Sequence, residues 1–185
     1  MISLNGDTTT TLTIVATDGA GNQSTATRYV RYEQSYGTTD LGNSVGGTAS
    51  TNSYFTSDQY GNNPAADAFD NNTNTYWCPA NYTTTSTEVR LDYDFTSAVN
   101  LETINIKCNQ FNNANHSFKV VVVTGGSWIT THSGLSFSTT NHSLKIHKKN
   151  VTKVRIIPTA GSFGYWTNGS HYITINEVDF LGSKA

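Results

Sequence analysis

Apolar side chains recur at every second position along much of this chain. Val89, Leu91, Tyr93 and Phe95 alternate with Arg90, Asp92 and Asp94, and Ile104, Ile106 and Cys108 repeat the pattern. A period of two places successive side chains on opposite faces, so each run predicts a strand with one buried face. Phe118 to Val123 is a nearly continuous apolar run and predicts a central strand. Val154 and Ile156 alternate with Lys153 and Arg155, and Ile173, Ile175, Val178 and Phe180 form a last strand. The parity of that strand changes between Ile175 and Val178. If all four side chains face the core, one extra residue is inserted and a β-bulge is expected at Asn176–Glu177. A strand buried on both faces would need no bulge. No window keeps a helical period. Short strands punctuated by Gly, Asn and Ser predict an all-β fold, an antiparallel β-sandwich.

The beginning of the chain reads differently. Thr9 to Thr17 alternates Thr with apolar residues, Asp18 to Asn22 is a turn, and Ser24 to Arg31 returns as a second strand. The stretch ATDGAGNQSTATRYV resembles the closing hairpin of bacterial immunoglobulin-like repeats. A lone two-stranded hairpin is marginal in water, so it has to dock, pair with another chain or fray. Its free edges make a homo-oligomer through this hairpin an expectation. Glu33 to Asn43 reads as a linker. The expected division is residues 1–34 as strands of such a repeat plus linker, and 35–185 as the main domain.

Composition narrows the function. The formal net charge is -2 and 13% of residues are charged, which excludes a basic nucleic-acid-binding surface. No apolar stretch of about 18 residues is present to span a membrane. Met1 is not followed by a signal-peptide pattern, and the chain opens in what reads as mid-domain, so a piece of a longer secreted or cell-surface protein is expected. Cys78 and Cys108 could be bridged or be two buried thiols. Catalytic signatures are missing. Ala160 to Gly164 lacks the first glycine of a nucleophile elbow, no His-Glu-x-x-His occurs, and the five histidines are scattered. The expectation is a protein that is not an enzyme.

One loop carries chemistry. Asp70, Asn72 and Thr75 offer oxygen ligands within one tight turn, and such hard donors suit Ca²⁺. An EF-hand is excluded, because Thr75 stands where Gly is required and Asn81 where Glu is required. Further ligands must come from elsewhere, and Glu177 at the expected bulge is the candidate. The other reading is an Asn/Asp-rich turn held by side-chain to backbone bonds. Trp77, directly after the loop, is expected in the core.

The segment NPAADAFDNNTNTYWCP, Asn63 to Pro79, follows Gly47 to Ser50 and precedes LDYDF at Leu91 and NEVDFLG at Asn176. In this order these stretches resemble the discoidin, or factor V/VIII type C, domain, and within it the family 32 carbohydrate-binding modules. The resemblance implies a discoidin-like jelly roll with one structural Ca²⁺. Its ligands would be the carbonyls of Asp67 and Asn176, the side chains of Asp70, Asn72 and Thr75, and the Glu177 carboxylate. It also implies a glycan or glycoconjugate as partner, bound by loops at one end of the sandwich. The candidates are Tyr54, Phe55 and Tyr60 in a first loop, Asn109, Gln110, Asn112, Asn113 and His116 in a second, and Phe163, Tyr165 and Trp166 in a third. The second loop lacks the Arg that galactose-type binders often carry there. An alternative is a membrane-lipid surface, as in the clotting-factor branch, with Phe163, Tyr165 and Trp166 as inserting tips and Lys145 to Lys149 facing anionic headgroups.

Overall fold

The computed structural model describes residues 9–31, 34–57, 61–80, 88–111, 116–160 and 172–185. The chain forms two compact units, Met1–Ser35 and Tyr36–Ala185. In the first, β1 (Thr9–Thr17) pairs antiparallel with β2 (Gln23–Arg31) in unbroken register from Thr9↔Arg31 to Thr17↔Gln23. Asp18 closes the turn. Its carboxylate accepts from the backbone of Ala20 and Asn22, both at 2.9 Å, and Gly21 takes the positive φ of 89° that the turn needs.

The second unit contains β3 (Thr39–Asp40), α1 (Leu41–Ser44), β4 (Gly47–Thr51), β5 (Thr56–Ser57), β6 (Gly61–Asn62) and a 3₁₀ turn at Ala65–Ala68. These are followed by β7 (Leu91–Phe111), β8 (Ser117–Thr124), β9 (Ser127–Ser136), β10 (Asn141–Ala160) and β11 (Tyr172–Lys184). Sheet order is β3-β11-β7-β10-β8-β9, with β4 also on β7 and β5–β6 a separate pair. Leu91–Phe95 of the first run and Ile104–Cys108 of the second, read separately, belong to one long strand, β7. Residues 91–95 of β7 pair with β4, while residues 99–111 pair with β11. Its partner β10 slips register at Lys145/Lys148, Lys148/Val151 and Val151/Lys153, and His147 and Asn150 there adopt φ of 49° and 53°. Bulges of this kind bend strands strongly. The bends fold one continuous sheet over on itself, which makes the antiparallel sandwich.

The two layers meet through aromatic rings. Phe180 of β11 lies 4.9 Å from Tyr93 and 5.1 Å from Phe95 of β7, centroid to centroid. Trp77, Leu101, Ile104, Phe118, Ile173 and Ile175 are fully buried around them, so Trp77 is a core residue. Phe118–Val123 falls in an internal strand next to the edge strand β9, rather than at the sheet's centre. Gly182 is required, since a Cβ there would run into the Asn100 carbonyl. Cys78 and Cys108 are separate buried thiols, and burial pushes both up to about 12.

The stretch read as a linker is largely structural. Leu41 is fully buried, and the Tyr36 ring stacks on His147 at 4.4 Å. Polar neighbours hid these anchors: Leu41 packs beside Gly182 of β11, the His147 ring belongs to β10, and Tyr36 N–H donates to Glu102 Oε2 at 3.0 Å.

Candidate functional site

The Asp70 turn begins where the 3₁₀ segment ends. The Asp70 carboxylate accepts from Asn72 N–H at 2.9 Å and from the Thr75 hydroxyl at 2.8 Å. Thr75 N–H bonds the Asn72 carbonyl at 3.0 Å, and Asn72 Oδ1 accepts from Asn74 N–H at 3.2 Å. Asn71 takes a left-handed φ of 59°, which Asn tolerates. The turn is therefore self-bonded, as an Asx turn is. Asp67 lies in the 3₁₀ segment, and its carboxyl is raised by burial and then by Asp70.

The last strand arrives beside this turn. Trp77 and Ile175 exchange backbone hydrogen bonds at 2.9 and 3.0 Å. Register then slips, since Ile175 pairs with Cys108 and Glu177 with Lys107, leaving Asn176 as the extra residue. The bulge expected from the parity change is present. It frees Asn176, whose amide donates to the Thr73 carbonyl at 3.3 Å, and it turns Glu177 inward, where it is 6% exposed. Glu177 Oε1 accepts from Val178 N–H at 3.2 Å, whereas Oε2 is buried and has no hydrogen-bond partner among the described residues. Desolvation, with smaller contributions from Asp179 and Asp70, pushes this carboxyl up to about 7.

An unsatisfied buried carboxylate oxygen is the mark of a place that a cation or a proton completes. The donors here are all oxygens, which suits a hard divalent ion. Among the described residues no three His, Cys, Asp or Glu side chains are placed to hold one metal ion between them. A cation here needs carbonyl, amide and hydroxyl oxygens beside the Asp70 and Glu177 carboxylates. Sequence reasoning missed two neighbours. Asp40 and Asp179 join Glu177 around a recess of about 50 Å³, and the Asp179 carboxyl is raised by burial and then by Asp40. Asp179 was findable as the residue two after Glu177 on the same face, but Asp40 comes from a distant cap.

The loop candidates divide. Phe111 at the end of β7 pairs with Tyr172 at the start of β11, and Ser117 at the start of β8 pairs with Ala160 at the end of β10. The strands flanking segments 112–115 and 161–171 thus end side by side. The first loop is tied to the same neighbourhood, because Trp77 Nε1–H donates to the Ser53 carbonyl at 3.0 Å and Phe55 N–H to the Cys78 carbonyl at 2.8 Å. Tyr54 is 44% exposed, Phe55 is half-buried and Asn109 is exposed on β7. Gln110 is placed by its backbone at the end of β7. His116 departs from expectation. It is 2% exposed, so its ring is not a surface contact. Its place just before the buried Phe118 explains this. Tyr60, Asn112, Asn113, Phe163, Tyr165 and Trp166 lie outside the described residues.

The F5/8 type C domain family matches residues 46–178. The chain belongs to this family. Solved structures with the same fold include a family 32 carbohydrate-binding module from Clostridium perfringens NanJ in complex with galactose. It is 18% identical, with 77% of this chain and 98% of that chain covered and a TM-score of 0.56. A second C. perfringens module, solved with GlcNAc-α-1,4-galactose, is 12% identical over 78% of this chain and 95% of that one, with a TM-score of 0.57. A chitosan-binding module from a Paenibacillus sp. IK-5 chitosanase/glucanase is 15% identical over 78% and 99%, with a TM-score of 0.59. No curated protein matches the chain in sequence. In this F5/8 type C domain the match spans both the Asp70 turn and the Asn176–Glu177 bulge. No helix among the described residues is long and apolar enough to cross a membrane.

Proposed function

We propose that residues 36–185 form a non-catalytic carbohydrate-binding module of a secreted or cell-surface protein, stabilised by one Ca²⁺. The observation that carries the ligand reading is the convergence of strand ends Phe111/Tyr172 and Ser117/Ala160. The strands that flank two Asn- and aromatic-rich segments end side by side in this F5/8 type C sandwich, and loops carried on a rigid scaffold commonly hold binding residues. Relatives of the same fold solved with galactose and with GlcNAc-α-1,4-galactose support a glycan as the ligand class. The polar contacts would come from Asn109, Gln110, Asn112 and Asn113, and stacking from Tyr54, Tyr165 or Trp166.

The Ca²⁺ reading is supported by the orphaned Glu177 Oε2 and by the oxygen-only surroundings. Glu177, the side chains of Asp70, Asn72 and Thr75, and the carbonyls of Asp67 and Asn176 would hold the ion. It would neutralise the corner and pin an early loop to the last strand, which limits the loop entropy of the unfolded chain. The hairpin at residues 9–31 fits the end of an immunoglobulin-like repeat, which suits a stalk-and-tip adhesin.

A glycan array on the whole chain, repeated with Trp166→Ala and Asn113→Ala, tests the ligand reading. Binding to at least one glycan class, lost in both variants, is the expected result. An empty array, or binding that survives both changes, defeats it.

A further inference from the structure

The outer face of the other sheet layer carries a second arrangement that the loop end does not use. The backbone register sets two rows across four strands. Trp128 pairs with Val123, Val123 with Lys153, and Lys153 with Asp94. In the next row Thr130, Val121, Arg155 and Asp92 follow one another. Side chains of paired residues share a face, so the polar halves of the Leu91–Phe95 and Lys153–Ile156 alternations meet beside an indole.

The contacts build a rigid stack. Asp92 is 3% exposed and accepts two hydrogen bonds from Arg155, at 2.7 and 2.8 Å. Such a bidentate pair fixes the guanidinium plane. Its central carbon, Cζ, lies over the Trp128 ring, 4.2 Å from the centroid. Trp128 is nonetheless 49% exposed, as a ring covered on one face and open on the other should be. Lys153 stands at its rim, with Nζ 5.9 Å from the centroid and 2.9 Å from Asp94.

A large indole held flat and half in water by a buried carboxylate is a preorganised stacking surface. The charges around it decide what it fits. Arg155 and Lys153 are each engaged by Asp92 or Asp94, so the face offers no unbalanced positive field for anionic lipid or nucleic acid. The apolar area is one ring, too small for a protein interface core. A neutral sugar ring matches it. Its C–H face stacks on the indole, and its hydroxyls meet an ammonium donor and a carboxylate acceptor at the ring's edge.

We infer that Trp128, backed by Arg155 and flanked by Lys153 and Asp94, is a second glycan-contact platform on the sheet face. It shares its ligand class with the function proposed above and rests on that reading to this extent only. Trp128 adjoins the β8–β9 turn, and β8 runs from Ser117, at the loop end, to Val123, roughly 20 Å at ~3.3 Å per residue. Two separated contacts let one module grip two stretches of a polymer, which raises avidity over either alone.

The test uses the indole N–H signals of the whole ¹⁵N-labelled chain. The chain has three tryptophans. Trp77 is the buried control, Trp128 reports the sheet face and Trp166 reports the segment between β10 and β11. Galactose, chitosan oligosaccharides and pectin oligosaccharides are titrated separately into the millimolar range. The expected result is a saturable shift of Trp128 with at least one of them while Trp77 stays still. Trp128→Ala then weakens retardation in a gel containing the matching polysaccharide about threefold to tenfold. Arg155→Lys, which keeps the charge but loses the plane, weakens it less. A Trp128 signal that stays put with every sugar overturns the platform, and a Trp166 that moves alone leaves the loop site standing. A Trp128 shift seen only with phosphatidylserine vesicles also overturns it, in favour of a membrane.

Discussion

Two buried carboxylates in this sandwich meet opposite fates. Asp92 is satisfied within the protein, by two hydrogen bonds from Arg155 and by Lys153 and Arg90 nearby at 3.7 Å each. Glu177 is as deeply placed, yet its Oε2 has no partner among the described residues, and the acids Asp70 and Asp179 lie near it. The first is finished structure. The second keeps a buried oxygen without a hydrogen-bond partner among the described residues. Burial alone does not point to a functional acid; burial with an unsatisfied oxygen does.

The largest effect should follow from breaking the finished pair. Asp92→Ala leaves the Arg155 guanidinium partly buried and uncompensated, and should destabilise by about 3 kcal/mol. Urea unfolding measures this, and a change below about 1 kcal/mol would erase the distinction drawn here. Next comes the ion. Adding Ca²⁺ to EDTA-treated protein should stabilise by about 2–3 kcal/mol at a hundredfold excess over Kd. Glu177→Gln should abolish most of that gain. Thermal melts with and without the ion decide, and an unchanged Tm in the wild type would remove Ca²⁺ from the account.

A smaller effect appears in the pH profile of the ion-free protein. The Glu177 carboxyl is raised from an ordinary value of 4.5 to about 7 in the folded state, so folding favours its protonated form. Its stabilising contribution is full below pH ~4.5 and is lost as pH rises through ~7, on the order of 1–2 kcal/mol after allowance for solvent screening. Ca²⁺ should flatten or reverse this slope, and so should Glu177→Gln. A profile that rises with pH between 5 and 7 in EDTA would contradict the assignment. Smallest of all is the rim of the Asp92 network. Lys153→Ala removes a half-exposed pair with Asp94 and should change stability by less than about 1 kcal/mol. A larger loss in urea unfolding would mean that Lys153, not Arg155, satisfies Asp92.

Much of this was legible in the residues. Alternation located the core of β7, β10 and β11, a nearly continuous apolar run located β8, and the parity change in the last strand located its bulge. The turn at Asp18–Asn22 was readable from its own Asp and Gly. Strand β9 was not read, because Ser127–Ser136 carries scattered hydroxyls and only partial burial. His116 looked like a loop residue and is buried, since nothing local reveals what covers a ring. Tyr36 and Leu41 looked like linker because their partners are about sixty to more than a hundred residues away.

By itself, the sequence determined which side chains face inward and where the chain must turn, because strand periodicity and turn chemistry act between near neighbours. It also supplied the oxygen-rich turn and the acid at the bulge. Only the tertiary structure decided that one sheet folds over at the β7 and β10 bulges, that Glu177 is buried with an oxygen unpaired among the described residues, and that Asp92 and Arg155 support an exposed Trp128. Those are properties of long-range register and burial, set by which strands lie side by side rather than by any single stretch of chain.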